Sequence, residues 1–577
     1  MGYHRRGEGD ARNVGVRSVQ RNNAATVLPR QQAATNVSAA EWRWVTIFGG
    51  LLVAASVLPY LWAFISLNAQ PTHRFVGILH SPLDGAVYIA KIGQGLRGAW
   101  LSTLTHTPET TPSFFLNSFY LVLGHLAKAL GLSTLMIFHL ARLTMSFAMF
   151  VALYHLGSTI WNRLRPRRLF FSIAAVGSGL GWLALMLSPE TPQTQLAVDL
   201  NLFEAIPLLS TFANPHFPLA IALIALIAAT YVTVFRPGFQ MTPTLTNGGL
   251  GVALISLLLV IVLPHGWLPI ASALSLYLIV LVMRTRRLPL LEATWVSLTI
   301  LPALPILIYY AAMMSAETPL SAWIAQNQIA PLPPDRYLFG FGLPLLAALP
   351  GIWRALRYFE RDGDRFMLLW LIVNAVILYL PLPMPQRSVI GLFIPIVYFA
   401  TRAMEEFWFE RIPAKWRDAA LVAFFVFIMP SNVLMAIVPM IGINDPARGE
   451  EGGLMMPKGY TDAFHWLDST GEESAVVLAQ PLPSLWLPAH TPMRVVYGHP
   501  YETLQSRERL TDVQSWYSGQ NCRAILARYN VRYILTQQNT PHDGAACLNE
   551  LGLRTPAVVY DDISVYRVPK ELGKASP

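Results

Sequence analysis

Asp84, Tyr88 and Lys91 stand four and three residues apart in the stretch 82–100, between the first and second long apolar runs of the chain. On a helix they share one face with Gly95, while Ile89, Ile92, Leu96 and Trp100 form a separate apolar stripe. A short helix of that kind suits a membrane interface, with Asp84 held at the height of the bilayer surface. A carboxylate there is ionised at neutral pH and can take a proton from a hydroxyl. The alternative is a solvated acid on an amphipathic loop helix, and the glycines of the stretch weaken the helix itself.

Chemistry on a phosphorylated lipid at a membrane surface needs a base, a cation for the phosphate and a groove for the chain. Arg387 is the cation candidate, because it stands alone between a proline-rich turn, 381–385, and an apolar run. A guanidinium grips a phosphate through two parallel hydrogen bonds; the competing reading is an interfacial anchor that snorkels. Arg142 lies inside an apolar run, where an unpaired charge costs at least ~2.5 kcal/mol. It calls for a partner, for which Asp84 and Glu109 are candidates, or for a wet cavity to line. His216 and His265 sit beside prolines at the ends of apolar runs, placed to hydrogen-bond a sugar or phosphate. His106 and Glu109 share the loop with Asp84 in a spacing that matches no metal motif. His499, within Tyr497-Gly-His-Pro-Tyr-Glu502, is a candidate for closing the site from the C-terminal side. No Walker loop, dinucleotide fingerprint or Cys/His metal cluster is present.

The elements that must position these groups are mostly membrane spans. Of 577 residues, 54% are apolar and 13% charged, against roughly 25% charged in soluble domains. The net charge of +9 comes largely from Arg clusters flanking apolar runs, which is topology information and not a nucleic-acid footprint. Residues 1–41, rich in Arg, Gln and Gly, cannot bury enough apolar surface to fold and are expected to form a disordered cytoplasmic tail. Residues 42–441 read as a multi-span domain of about eleven transmembrane helices, with a long first outer loop, 68–135. The runs 249–263 and 267–283 are each short for a span and suggest a tilted or partly inserted hairpin. The segments assigned to the cytoplasm hold 23 Lys and Arg, against six in the outer loops. That bias places the N-terminus in the cytoplasm and the C-terminus outside, in a plasma membrane. The first span is expected to act as an uncleaved anchor.

Residues 455–577 alternate strand-like runs, at 475–479, 493–497, 531–536, 557–560 and 564–568, with helical ones at 461–469 and 519–529. They read as a small α/β extracytoplasmic domain. It offers Tyr497, His499, Tyr501, Trp516 and Tyr517 either to a sugar or to its own core. It also holds Cys522 and Cys547, the two cysteines of the chain, as a disulfide or as two buried thiols.

One span, an outer loop carrying Asp84 and Tyr88, then residues 95–100, 120–124 and His139 to Arg142 entering the second span, resembles the GT-C superfamily of membrane glycosyltransferases. The C-terminal domain after the last span is similar to that architecture too. The resemblance implies a polytopic α-helical GT-C-like fold and inverting transfer of a sugar, as in a mannosyltransferase or other hexosyltransferase. The donor would be a polyprenyl-phosphate sugar, and the acceptor a hydroxyl of a glycan, lipid or protein of the cell envelope. Asp84 would be the base, with Tyr88, Lys91, His106, Glu109, Arg142, His216, His265, Arg387 and His499 binding substrates. It fixes no metal ligand and leaves a divalent cation open; membrane lipids are further partners, and the charge pattern gives no nucleic-acid partner. The alternative is a non-catalytic transporter or envelope-assembly protein, which would favour charges near the midplane and an internal repeat.

Overall fold

The computed structural model describes residues 37–68, 71–192, 195–315, 319–360, 363–470, 472–538 and 540–572. Of the expected tail, residues 1–36 fall outside the described residues. The first helix already begins at Ala39.

Among the described residues nine helices are long and apolar enough to cross a membrane, from Ala39–Leu67 to Ala414–Ile443. Of the eleven expected spans, the other two are the 14-residue helices Gly249–Val262 and Asp364–Ile377. At 1.5 Å per residue each rises about 21 Å, short of a ~30 Å hydrocarbon core. The hairpin reading of 249–283 changes accordingly. The second run is a full span, Pro264–Thr285, and only the first is short, the two meeting at the extended residue Leu263.

Three spans are interrupted, and the interruptions meet. Leu164–Val176 and Gly181–Leu187 are separated by four non-helical residues, Pro334–Tyr358 kinks at Gly342 with φ 35°, and Pro430 breaks the last span. Backbone freed in a bilayer must find partners inside the protein. Here Ser178 N–H donates to the Ile428 carbonyl (2.7 Å) and Leu180 N–H to that of Phe339 (2.7 Å). The Gly179 and Gly181 N–H groups both donate to Asp199 Oδ2, at 3.0 and 3.2 Å. The breaks therefore fix the segment that runs from Asp199 to Glu204.

The loop helix is present as Pro82–Leu96, and most of its apolar stripe packs inside the protein, while Trp100 lies beyond its end and is exposed. Ile89 and Ile92 are buried in one core with Tyr120, Phe138, Met456, Phe464, Trp486 and Leu535. The helix is packed between Ser118–Leu130 and Pro481–His490. Its glycines, poor for helix propensity, serve this packing. A Cβ on Gly95 would lie 2.1 Å from the Leu121 carbonyl oxygen, and one on Gly124 would lie 2.2 Å from that of Ile92. Only hydrogen at both positions lets the backbones approach this closely.

A two-stranded sheet ties the first loop to the C-terminal unit: β1 (His73–Phe75) pairs antiparallel with β2 (Met455–Pro457). The unit itself is a five-stranded sheet of β3 (Val476–Leu478), β4 (Arg494–Val495), β5 (Val531–Gln537), β6 (Val558–Tyr560) and β7 (Ile563–Arg567), in the order β4-β3-β5-β7-β6. β3 runs parallel to β4 and β5, and β7 antiparallel to β5 and β6. All five expected strand runs are there. Cys522 and Cys547 are joined in a disulfide. Trp516 and Tyr517, weighed as sugar-stacking groups, instead sit in the core beside Leu478, Leu526 and Ile534.

Candidate active site

A cavity of about 1460 Å³ opens where the loop helix, several span ends and the C-terminal unit meet. Asp84 and Tyr88 face it from the loop helix, His216, His265 and Arg387 from the spans, and His499 and Glu502 from the C-terminal unit. Most of the remaining wall is apolar, including Phe203, Ile261, Leu263, Trp267, Leu307, Met435 and Val438.

Its polar centre is Arg387. Arg387 Nη1 lies 2.9 Å from Glu204 Oε1, and Nη2 lies 3.4 Å from Asp84 Oδ2. The side chains of Arg387 and Asp84 are 29% and 28% exposed, that of Glu204 only 1%. Arg387 rides on the 3-10 turn Pro385–Val389. The preceding proline-rich segment is tethered by His265 Nε2, 3.3 Å from the Pro383 carbonyl. Asp84 is in the first turn of its helix. Behind it Tyr88 stacks on Tyr120 with ring centres 4.2 Å apart, and the Tyr120 hydroxyl is 2.6 Å from His216 Nδ1. Burial holds the Tyr88 hydroxyl above its ordinary range, so it remains a hydrogen-bond donor.

On the opposite wall His499 Nδ1 accepts the N–H groups of Tyr501 and Glu502, each at 3.0 Å. That leaves the proton on Nε2. Burial raises the Glu502 carboxyl, opposed by the Lys91 ammonium and helped by Asp84. The helix Pro319–Gln326 clasps this wall. Gln326 Nε2 donates to the carbonyls of Tyr501 (3.1 Å) and Thr503 (2.8 Å), and Asn327 Nδ2 to that of Tyr501 (3.1 Å).

The structure thus brings Asp84, Tyr88, His216, His265, Arg387 and His499 to one cavity, and leaves four expected residues away from its wall. Lys91 is buried beside it and donates to the Thr103 carbonyl at 2.7 Å. His106 Nε2 contacts the Leu485 carbonyl at 3.0 Å, and Glu109 pairs with Arg509 at 2.6 Å. Both belong to the seam between the first loop and the C-terminal unit. Arg142 pairs with neither Asp84 nor Glu109. It donates to the Thr211 carbonyl at 2.5 Å and lies over the Tyr60 ring, 4.3 Å from its centre. A carbonyl and a ring face satisfy it as an acid would have done. The residue missed is Glu204. Its one sequence signal is that it sits in a loop, 188–215, holding acids and no Lys or Arg, so its counter-charge had to come from elsewhere.

The open question of a divalent cation meets a clear geometry. The two carboxylates that converge here share a guanidinium, and among the described residues no group of three or more His, Cys, Asp or Glu gathers.

The seam carries a pH prediction. Burial pulls both His106 and His499 down to about 3 from an ordinary 6.5, and their rings stand 6.2 Å apart. An undocked state takes up protons below pH 6.5 that the docked state refuses, so docking weakens as pH falls through 6.5. At pH 5 the loss is roughly 2 kcal/mol per histidine. Melting temperature should therefore drop between pH 7.5 and 5, with earlier proteolysis in the first loop. An unchanged melting temperature would exclude two neutral histidines in the seam.

No family model matches the chain, and no curated protein matches it. Solved structures do. The apo oligosaccharyltransferase of Archaeoglobus fulgidus matches with a TM-score of 0.52 at 13% identity, over 87% of this chain and 70% of its own. The arabinofuranosyltransferase AftD from Mycobacteria matches with a TM-score of 0.50 at 13% identity, over 92% of this chain and 40% of its own. ArnT from Cupriavidus metallidurans in the apo state gives 0.49 at 13% identity, over 93% and 100%. The fold is read from the first two: the chain has the GT-C fold, that of these polytopic membrane glycosyltransferases.

Proposed function

We propose that the protein is a membrane glycosyltransferase that moves a sugar from a polyprenyl-phosphate donor to an acceptor hydroxyl, by one inverting displacement on the extracytoplasmic face. The observation that carries this reading is a carboxylate and a guanidinium 3.4 Å apart at the polar centre of a large, mostly apolar cavity. The acceptor oxygen attacks the anomeric carbon and its proton passes to Asp84. The bond from that carbon to the phosphate oxygen breaks, and its electron pair leaves with the polyprenyl phosphate. Arg387 balances the charge that develops on the phosphate. The apolar wall takes the lipid chain, while His499 and Glu502 offer hydrogen bonds to hydroxyls. The distribution of Lys and Arg supports a site on the outer face of a plasma membrane, with the N-terminus inside.

The purified protein, supplied with a panel of polyprenyl-phosphate sugars and candidate acceptors, should give transfer or slow donor hydrolysis with at least one. Flipping of the lipid in vesicles with neither product would overturn the reading. Within it, Arg387→Lys should weaken donor binding about tenfold, because an ammonium is a point charge and loses the two-pronged grip. A group that merely snorkels would tolerate the change, so an unaltered donor Kd ends the phosphate role of Arg387.

A further inference from the structure

We infer that Glu204 is a positioning residue that clamps Arg387 as the built-in cation of the site, and that Asp84 holds the contact which the donor phosphate exchanges. The site then takes its phosphate without a divalent ion. This rests on the donor reading above and divides the labour between the two acids on the one guanidinium.

The two contacts differ in the properties that decide which one can open. Glu204 is 1% exposed and 2.9 Å from Nη1. Breaking that pair would strand a buried carboxylate, at a cost of several kcal/mol. Asp84 is 28% exposed and 3.4 Å from Nη2, the limit of a hydrogen bond, so this is the longer, better solvated and weaker of the two contacts. A phosphate oxygen on Nη2 gains a charge-assisted bond at the expense of the weaker contact. A guanidinium has five N–H donors, and the two acids occupy two of them. Glu204 is itself set by the Asp199 anchor at the helix breaks, so Arg387 keeps its place when Asp84 lets go. Asp84, released, is free to accept the proton of the acceptor.

The same geometry excludes a metal between the acids. The guanidinium stands there already, and a divalent ion beside it would meet repulsion from the one cation on the cavity wall among the described residues.

The test measures binding of undecaprenyl phosphate, which carries no sugar and cannot turn over, to the full chain in nanodiscs. We expect the same Kd in EDTA and in millimolar Mg²⁺ or Mn²⁺. Glu204→Gln should weaken that Kd about tenfold or more, whereas Asp84→Asn should leave it unchanged or tighten it. Binding that requires a divalent ion overturns the inference and leaves the donor reading standing. Equal weakening by the two variants overturns the division of labour. No binding under any condition removes the donor reading and the inference with it. The EDTA comparison uses unaltered protein, so if Glu204→Gln fails to fold it still decides the metal-free claim, and a weakened Kd in Asp84→Asn then overturns the exchanged contact.

Discussion

Asp84→Asn is expected to cut sugar transfer by about 10²–10⁴-fold, the usual range for a lost general base, while the donor still binds. The amide keeps the size of the carboxylate and an oxygen that can face Arg387, so the 3.4 Å contact need not reorganise. What it lacks is a group that can take a proton from a hydroxyl near neutral pH. The expected signature is a fall in kcat with donor affinity preserved, the pattern of an interaction made only in the transition state. Because Glu204 retains its own pair with Arg387, stability should change little. Transfer at the wild-type rate in this variant would remove Asp84 from the chemistry. A fall in donor affinity matching the fall in rate would make it a binding group.

Much of this was legible in the residues themselves. Spans are written as apolar runs bounded by arginines, and the five strands of the C-terminal unit as short strand-like runs set between helical ones, because both patterns are local consequences of burial. Asp84 and Arg387 could be singled out because each is an ionisable group set among apolar or turn residues. Glu204 could not be singled out in that way. Its meaning lies in a partner 183 residues away, while three interrupted helices fix the segment that carries Glu204 itself, and periodicity carries no trace of that convergence. Gly95 misled in the other direction, since helix propensity counts its entropy and is blind to the Leu121 carbonyl that a Cβ would strike. Arg142 misled because a cation in a span implies an acid only if no carbonyl or ring face is at hand. The aromatic residues of the C-terminal unit divided without a sequence signal: Tyr501 reaches the cavity, Trp516 and Tyr517 the core, and Tyr497 borders both.

Deleting residues 455–577 is expected to destroy the first loop rather than merely uncover the site. From sequence, the C-terminal unit reads as a cover, whose loss would leave the remainder intact but leaky to water. The structure makes it half of a shared core. Ile78, Ile89, Ile92 and Tyr120 of the loop are buried in one cluster with Met456, Phe464, Trp486 and Leu487, and β1 loses the strand it pairs with when β2 is removed. Full exposure of a buried side chain of this size costs about 1.5–3 kcal/mol, so the four forfeit up to roughly 6–12 kcal/mol, less the part that Leu123, Ile137 and Phe138 still cover, a large fraction of the stability of a typical domain. The loop helix would not stay folded, and Asp84 would not stay opposite Arg387. The truncated protein should therefore be cleaved readily between residues 71 and 117, and show neither transfer nor donor hydrolysis, with the spans still inserted. Trp486→Ala, which should cost about 3–5 kcal/mol, is the graded version, expected to lower the melting temperature and activity together. A truncated protein that resists protease in the first loop and transfers normally would show that the loop holds its shape alone.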